Sequence, residues 1–190
     1  MELIFADPYY GSEEESSGRF VAELKEALAE FDPNVDVVEA DIGRGADWPV
    51  ALATLFQSID WPIVASTVGP ISLFFLGERI KKNGEAWIEM ARGLKLLLDK
   101  IRPTRIDEKA ALLIVINDLA EREVDITQAE VSVQVLTLVT ISHGRRSLDK
   151  RPEAVYTITV GLGGESYLFA IESNGNLALS KRFSEPRLKA

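Results

Sequence analysis

The first forty residues contain two short apolar runs, and between them apolar residues recur at helical spacing. Residues 2–6 form a short apolar run that predicts a buried strand. The stripe that follows predicts a helix, which we expect to end at Asp32-Pro33, because the residue before a proline disfavours the α region. Residues 35–42 predict the next strand, and the order strand, helix, strand favours a right-handed parallel unit, with an antiparallel arrangement left open. The stripe consists of Phe20, Val21, Leu24, Leu28 and Phe31.

A second helix is predicted after the turn at residues 43–46. Asp47 is a suitable N-cap, and Pro49 falls in the first turn, where a missing N–H costs nothing. We expect this helix to run to about Ile59 and to stop at Asp60-Trp61-Pro62.

Residues 61–77 contain no formal charge, which approaches the length of a membrane-spanning helix. Pro62, Gly69 and Pro70 interrupt the segment, so we favour a buried extended piece over Ile63–Ser66 and a buried helix from Pro70. Insertion of the segment into a membrane is the alternative.

From residue 70 to residue 101 an apolar stripe alternates at spacings of four and three, which is typical of a packed helix pair. The regular spacing favours one long helix. Asn83-Gly84 favours the alternative of a helical hairpin, because Asn and Gly often end helices. The stripe residues that we expect to contact a partner are Leu73, Gly77, Ile80, Gly84, Trp87, Ala91 and Leu94.

The last third changes to a period of two. A helix over about 107–123 is followed by a long alternating strand from Val131 to Ile141, and Asn174-Gly175 is a strong hairpin signal. Shorter strands are predicted over 155–160, 167–171 and 177–182.

The predicted fold class is therefore α+β. It has an N-terminal β-α-β unit, central helices that include a heptad-striped helix or helical hairpin, and a C-terminal antiparallel β-meander. We expect a single domain over 1–190, with sub-layers over 1–60, 61–123 and 124–190.

Composition and charge narrow the function classes. Hydrophobic residues make up 46% of the chain, and the absence of cysteine excludes disulfides and thiol chemistry. The net charge is −9, and residues 1–60 hold 14 acidic against 3 basic side chains. Such an acidic third would repel nucleic acid, which we exclude as a partner. The opening residues show no signal peptide, so we expect a cytoplasmic protein.

Three patterns suggest chemistry without completing a motif. Asp7 and Asp41 follow two predicted strands, and parallel neighbours would bring both carboxylates to one sheet edge as a Mg²⁺ site. Arg145 and Arg146 form a basic loop that suits an anion, although a solvated loop is the commoner reading. His143 is the only histidine, and a surface turn residue is the simpler interpretation.

Two stretches, Gly45-Ala46-Asp47-Trp48-Pro49 and Phe75 to Ile88 with its Trp87, resemble small accessory proteins of bacterial conflict (antiphage-type) systems. The resemblance covers about residues 43–101 and contains no catalytic motif. It implies an effector or adaptor, in some cases one that acts at membranes, and it transfers no functional residue.

The sequence therefore predicts a non-catalytic protein-interaction or adaptor module that uses no cofactor. We expect it to bind a protein partner or a second copy through the apolar helical segment 70–101. The alternatives are a membrane-acting effector that inserts residues 61–77 and a Mg²⁺-dependent enzyme with carboxylates at strand ends.

Overall fold

A computed structural model describes residues 1–6, 17–41, 49–57, 72–75, 78–126, 129–137, 154–162 and 164–184. Within these ranges nine strands and three helices follow one another along the chain. In chain order they are β1 (Glu2–Ala6), α1 (Ser17–Ala29), β2 (Asp36–Asp41), β3 (Pro49–Thr54), β4 (Ser72–Phe75), α2 (Glu78–Lys100), β5 (Arg105–Ile106), α3 (Glu108–Glu121), β6 (Glu130–Thr137), β7 (Ala154–Leu162), β8 (Glu165–Glu172) and β9 (Leu177–Ser184).

The α+β class is confirmed. The chain begins strand, helix, strand, places α2 and α3 in the middle, and ends in an antiparallel meander of β7, β8 and β9. The Asn174-Gly175 signal is also confirmed, since Gly175 lies between β8 and β9 with a φ of 92°. Glycine accepts this left-handed conformation without the steric cost that a Cβ would add.

The strands form two sheets, both fully antiparallel. We call the sheet with the order β2-β3-β1-β5 sheet A, and the sheet with the order β4-β6-β7-β8-β9 sheet B. β1 and β2 run in the same direction but are not neighbours, because β3 lies between them and is antiparallel to both. The expected pair of adjacent parallel strands is therefore wrong.

The predicted helix over 47–59 is also wrong, because Pro49–Thr54 form β3. Alternate residues of β3 face different environments: Ala51 and Ala53 are completely buried in the main core, whereas Leu52 lies outside that core and is partly exposed. Both faces of β3 nevertheless carry apolar residues, and an apolar run at consecutive positions has no period that separates a strand from a helix.

The heptad segment forms one continuous helix from Glu78, so the hairpin break at Asn83-Gly84 is wrong. The helix does not begin at Pro70, because Ser72–Phe75 form β4, paired with β6. α3 matches its prediction, and its N-cap is Asp107, whose Oδ1 accepts a hydrogen bond from the Ala110 N–H at 2.9 Å.

One hydrophobic cluster joins all three helices to both sheets. Leu3 and Phe5 of β1, Leu28 of α1 and Phe169 of β8 belong to it, each at most 3% exposed. α3 is buried on most of its circumference, which explains why its apolar residues follow no narrow stripe. The division into sub-layers and the single-domain assignment stay predictions.

Candidate interaction surfaces

Three residues of the predicted partner stripe are covered by the chain itself. Trp87, Ala91 and Leu94 are 6%, 1% and 2% exposed, and all three belong to the main core, where α2 packs against α3. Gly84 lies on the same helix and is partly exposed. A partner could reach the three buried side chains only if the helix layer separated.

The remaining stripe residues are not brought together with these in one described surface. Leu73 lies on β4, where it pairs with Ser132 of β6, and Ile80 lies in the first turn of α2. Gly77 lies outside the described residues. Among residues 84–100 of α2 the exposed large apolar side chain is Leu96, at 65%, and it is not part of the stripe.

Among the side chains whose burial is described, the exposed apolar ones concentrate on strand β9. Of the five large hydrophobic side chains that are exposed in the described residues, three lie on β9: Leu177, Leu179 and Phe183, at 38%, 41% and 45%. β9 is also an outer strand of sheet B, with β8 on one side and no described strand on the other. Along the free side of an edge strand, backbone N–H and C=O groups form no hydrogen bonds to a neighbouring strand and can pair with another chain.

The register of β9 defines which side chains share a face. Leu179 pairs with Ala170, Lys181 with Leu168 and Phe183 with Ser166, so all three lie on the face of sheet B opposite Phe169 and the core. The register shifts between Ala170 and Ile171, which marks a β-bulge at the start of the strand. The exposed face of β9 therefore carries an apolar, a cationic and an apolar side chain in turn: Leu179, Lys181 and Phe183.

Polar contacts on the other face hold β9 in place. Ser180 Oγ donates to Asp118 Oδ2 at 3.2 Å and accepts a hydrogen bond from Arg122 Nη2 at 2.6 Å, which ties the strand to the end of α3. Arg182 forms an ion pair with Glu165 of β8. These contacts fix the edge strand on its helix side and leave its free edge and outer face open among the described residues.

The Arg182 guanidinium also favours the ionised form of Glu165. Its hydrogen bonds to Glu165 hold the pKa of that carboxyl below its usual value, and the Tyr167 hydroxyl assists by donating to Glu165 Oε2 at 2.9 Å. Glu165 is therefore ionised at neutral pH, and Arg182 is neutralised locally. Lys181 lies beside this pair and forms no ion pair with any described residue.

A cleft of about 500 Å³ lies where β1, β5, α3 and β7 meet. Two hydrogen bonds connect lining residues: Asp107 Oδ2 accepts the Glu2 N–H at 2.8 Å, and the Tyr156 hydroxyl donates to the Ile106 carbonyl at 2.6 Å. Burial raises the pKa of Glu108, and nearby Asp107 raises it further. The Tyr156 bond connects β7 of sheet B with β5 of sheet A, and the Asp107 bond connects the N-cap of α3 with β1. Its lining residues are Glu2, Ile4, Arg105, Ile106, Asp107, Glu108, Lys109 and Tyr156.

The adjacent parallel strands assumed for the Mg²⁺ site are not present, and the site itself stays a prediction. Asp41 is the last residue of β2 and pairs with Pro49 of β3. The C-terminal end of β1 lies on the other side of β3. Two strand spacings separate β1 from β2, about 10 Å. Asp7 lies outside the described residues, and no group of three metal-ligating side chains occurs among those that are described.

Several other candidates fall outside the described ranges. His143, Arg145 and Arg146 lie there, as do residues 61–71 of the uncharged segment. Among the helices that are described, none has both the length and the apolar character needed to cross a bilayer.

Comparison with protein-family models, with curated proteins and with solved structures gave no match to this chain. The resemblance to conflict-system accessory proteins thus stays an interpretation of residues 43–101.

Sequence reasoning identified a strand at 177–182 but not its exposed position. The alternation of Leu177, Leu179 and Phe183 with smaller or charged residues was the available signal. It does not distinguish a strand with a half-buried face from one at an edge, because strand order decides exposure.

Proposed function

We propose that this chain is a non-catalytic interaction module that binds an extended segment of a protein partner along the free edge of β9. The proposal rests on the exposure of Leu179 and Phe183, at 41% and 45%. Both lie on β9, which pairs with β8 along one edge and with no described strand along the other. Scattered exposed hydrophobic residues are common on protein surfaces. Their concentration on one edge strand is the feature that needs a function.

Strand addition supplies both affinity and specificity at such an edge. A partner segment would complete the backbone hydrogen bonds of β9, and its alternate side chains would contact Leu179, Lys181 and Phe183. The eight residues of β9 offer an edge long enough for several backbone hydrogen bonds. The anchoring of Ser180 and Arg182 on the helix side supports a preformed edge, which lowers the ordering cost of binding.

The edge also carries features that limit indiscriminate pairing. Lys181 is exposed, and a β-bulge distorts the first residues of the strand. Natural sheets use charges and bulges to discourage edge-to-edge aggregation. An exposed apolar edge with such features favours a selective contact.

The segment 70–101 supports the proposal less well than β9 does. Trp87, Ala91 and Leu94 are buried in the core. Packing of α2 against the core therefore explains their apolar character without a partner. We therefore move the proposed contact from α2 to β9 and keep the function class.

A peptide selection tests the proposal. Eight-residue peptides, as long as β9, are selected against the chain from a random display library, and the winners are titrated against the double variant Leu179→Lys/Phe183→Lys. Loss of apolar burial at both positions should weaken binding by about tenfold or more. The matched control is Leu96→Lys, which alters an apolar side chain that is 65% exposed on α2 and should leave binding unchanged.

Two results contradict the proposal. One is a selection that yields no binding peptide. The other is a set of peptides that bind the double variant as tightly as the unaltered chain.

A further inference from the structure

The outer strand at the far side of sheet A carries the charge opposite to that of β9. β2 exposes Asp36 and Glu39, whereas the outer face of β9 exposes Lys181; Arg182 lies on the other face of β9 and is paired with Glu165. β2 has β3 on one side and no described strand on the other. Sheet A thus ends at β2 in an acidic edge, and sheet B ends at β9 in an edge whose outer face carries the cation Lys181.

Exposed apolar side chains concentrate on the same two edges. Val38 of β2 is 43% exposed, and with the three β9 residues it accounts for four of the five exposed large hydrophobic side chains in the described ranges. Neither of the other two outer strands has an acidic side chain: β5 consists of Arg105 and Ile106, and β4 has four uncharged residues. Charge therefore selects β2 as the complement of β9, and the exposed Val38 adds an apolar side chain to that edge.

We infer that the partner of β9 is β2 of a second copy of this chain. The inference rests on the proposed function and names the occupant of the edge. An antiparallel alignment that places Asp36 opposite Lys181 also places Val38 opposite Leu179. One register therefore matches an opposite-charge pair and an apolar pair, the two kinds of cross-strand pair that stabilise sheets.

The faces of the two sheets agree with this register. Asp36 and Val38 lie on the face of sheet A with Leu52 and Ile4, which are outside the main core. Lys181 and Leu179 lie on the outer face of sheet B, also away from the core. Pairing β2 with β9 would join two outer faces into one continuous surface.

The contact is head to tail, because it uses different surfaces on the two copies. Such an interface leaves one β2 edge and one β9 edge unpaired at the ends of every open assembly. Copies therefore add until a ring closes or a filament grows. Assembly should increase continuously with protein concentration and should weaken with salt.

Sedimentation velocity of the full chain at rising concentration tests the inference. We expect the weight-average sedimentation coefficient to rise without stopping at a dimer, and either Asp36→Lys or Lys181→Glu should lower the association constant about fivefold. Combining the two substitutions restores an opposite-charge pair with the signs reversed, so the double variant should recover most of the association. Circular dichroism of each variant confirms that these exposed substitutions leave the fold intact.

A second pair of variants tests the head-to-tail geometry. Val38→Lys blocks the β2 edge and Leu179→Lys blocks the β9 edge, so each variant alone should remain monomeric. Their mixture should form a one-to-one dimer and nothing larger, since one good edge of each kind remains. A monomer at every concentration, or an association that none of these substitutions changes, overturns the inference. If selected peptides still bind β9 in that case, the proposed function stands and only the identity of the partner fails.

Discussion

Replacement of Leu94 by alanine should destabilise the fold strongly, whereas the same replacement at Leu96 should not. Both residues lie on α2, two positions apart, and their exposures are 2% and 65%. The pair therefore keeps the helix and the chemistry constant and varies only burial.

The expected magnitude at Leu94 combines transfer and cavity terms. Leu→Ala removes about three carbon groups at roughly 0.8 kcal/mol each, and the cavity left among rigid neighbours adds to that loss. We expect Leu94→Ala to lower the free energy of unfolding by about 2–5 kcal/mol. At Leu96 the smaller buried fraction and the higher helix propensity of alanine should keep the change within about 0.5 kcal/mol.

Urea unfolding followed by circular dichroism measures both changes, and repetition at about tenfold higher protein concentration separates folding from association. If the stripe stabilised a contact between copies, the loss at Leu94 would depend on concentration. A loss below about 1 kcal/mol at Leu94, or equal losses at the two positions, would refute burial of the stripe within one chain.

Three further predictions concern the turns and the ion pair. Gly175→Ala should cost about 1–2 kcal/mol in urea unfolding, because Gly175 has a φ of 92° that a Cβ disfavours. Asp32→Ala should cost about 1–3 kcal/mol in the same assay, because Asp32 is 7% exposed and its Oδ2 accepts the Phe56 N–H at 2.6 Å. Arg182→Ala should raise the pKa of Glu165 toward its ordinary value in an NMR titration. Because Glu165 has a lowered pKa in the folded chain, its stabilising contribution is present above its ordinary pKa and is lost as the pH falls through the lowered value.

Distinct results would contradict each of these predictions. Unchanged stability in Gly175→Ala would show that the hairpin tolerates a side chain at this φ. Unchanged stability in Asp32→Ala would show that the Phe56 amide has another acceptor or reaches water. A Glu165 pKa that stays low without Arg182 would assign the shift to Tyr167.

Local patterns identified most helices and strands but not their neighbours. Leu24 and Leu28 predicted α1 because helical spacing puts them on one face, and the structure buries both. The run from Val50 to Leu55 failed because apolar residues at consecutive positions suit a buried strand and a helix equally. Pairing with β1 and β2 on both sides decided between them.

The sequence predicted an apolar interaction surface but not its position in the fold. The stripe through Trp87 and Leu94 shows that α2 must be covered, but its spacing does not say whether α3 or another chain covers it. Leu179 and Phe183 indicated a strand, and only the order of strands in sheet B placed them at an edge. Exposure is a property of the assembled sheet and is not contained in local periodicity.

Amide hydrogen exchange of the assembled or peptide-bound chain tests the central claim most directly. Binding along the free edge should slow exchange at the backbone amides of β9 that do not bond to β8, and it should leave α2 unchanged. Slowed exchange confined to α2, with β9 unaffected, would contradict the account.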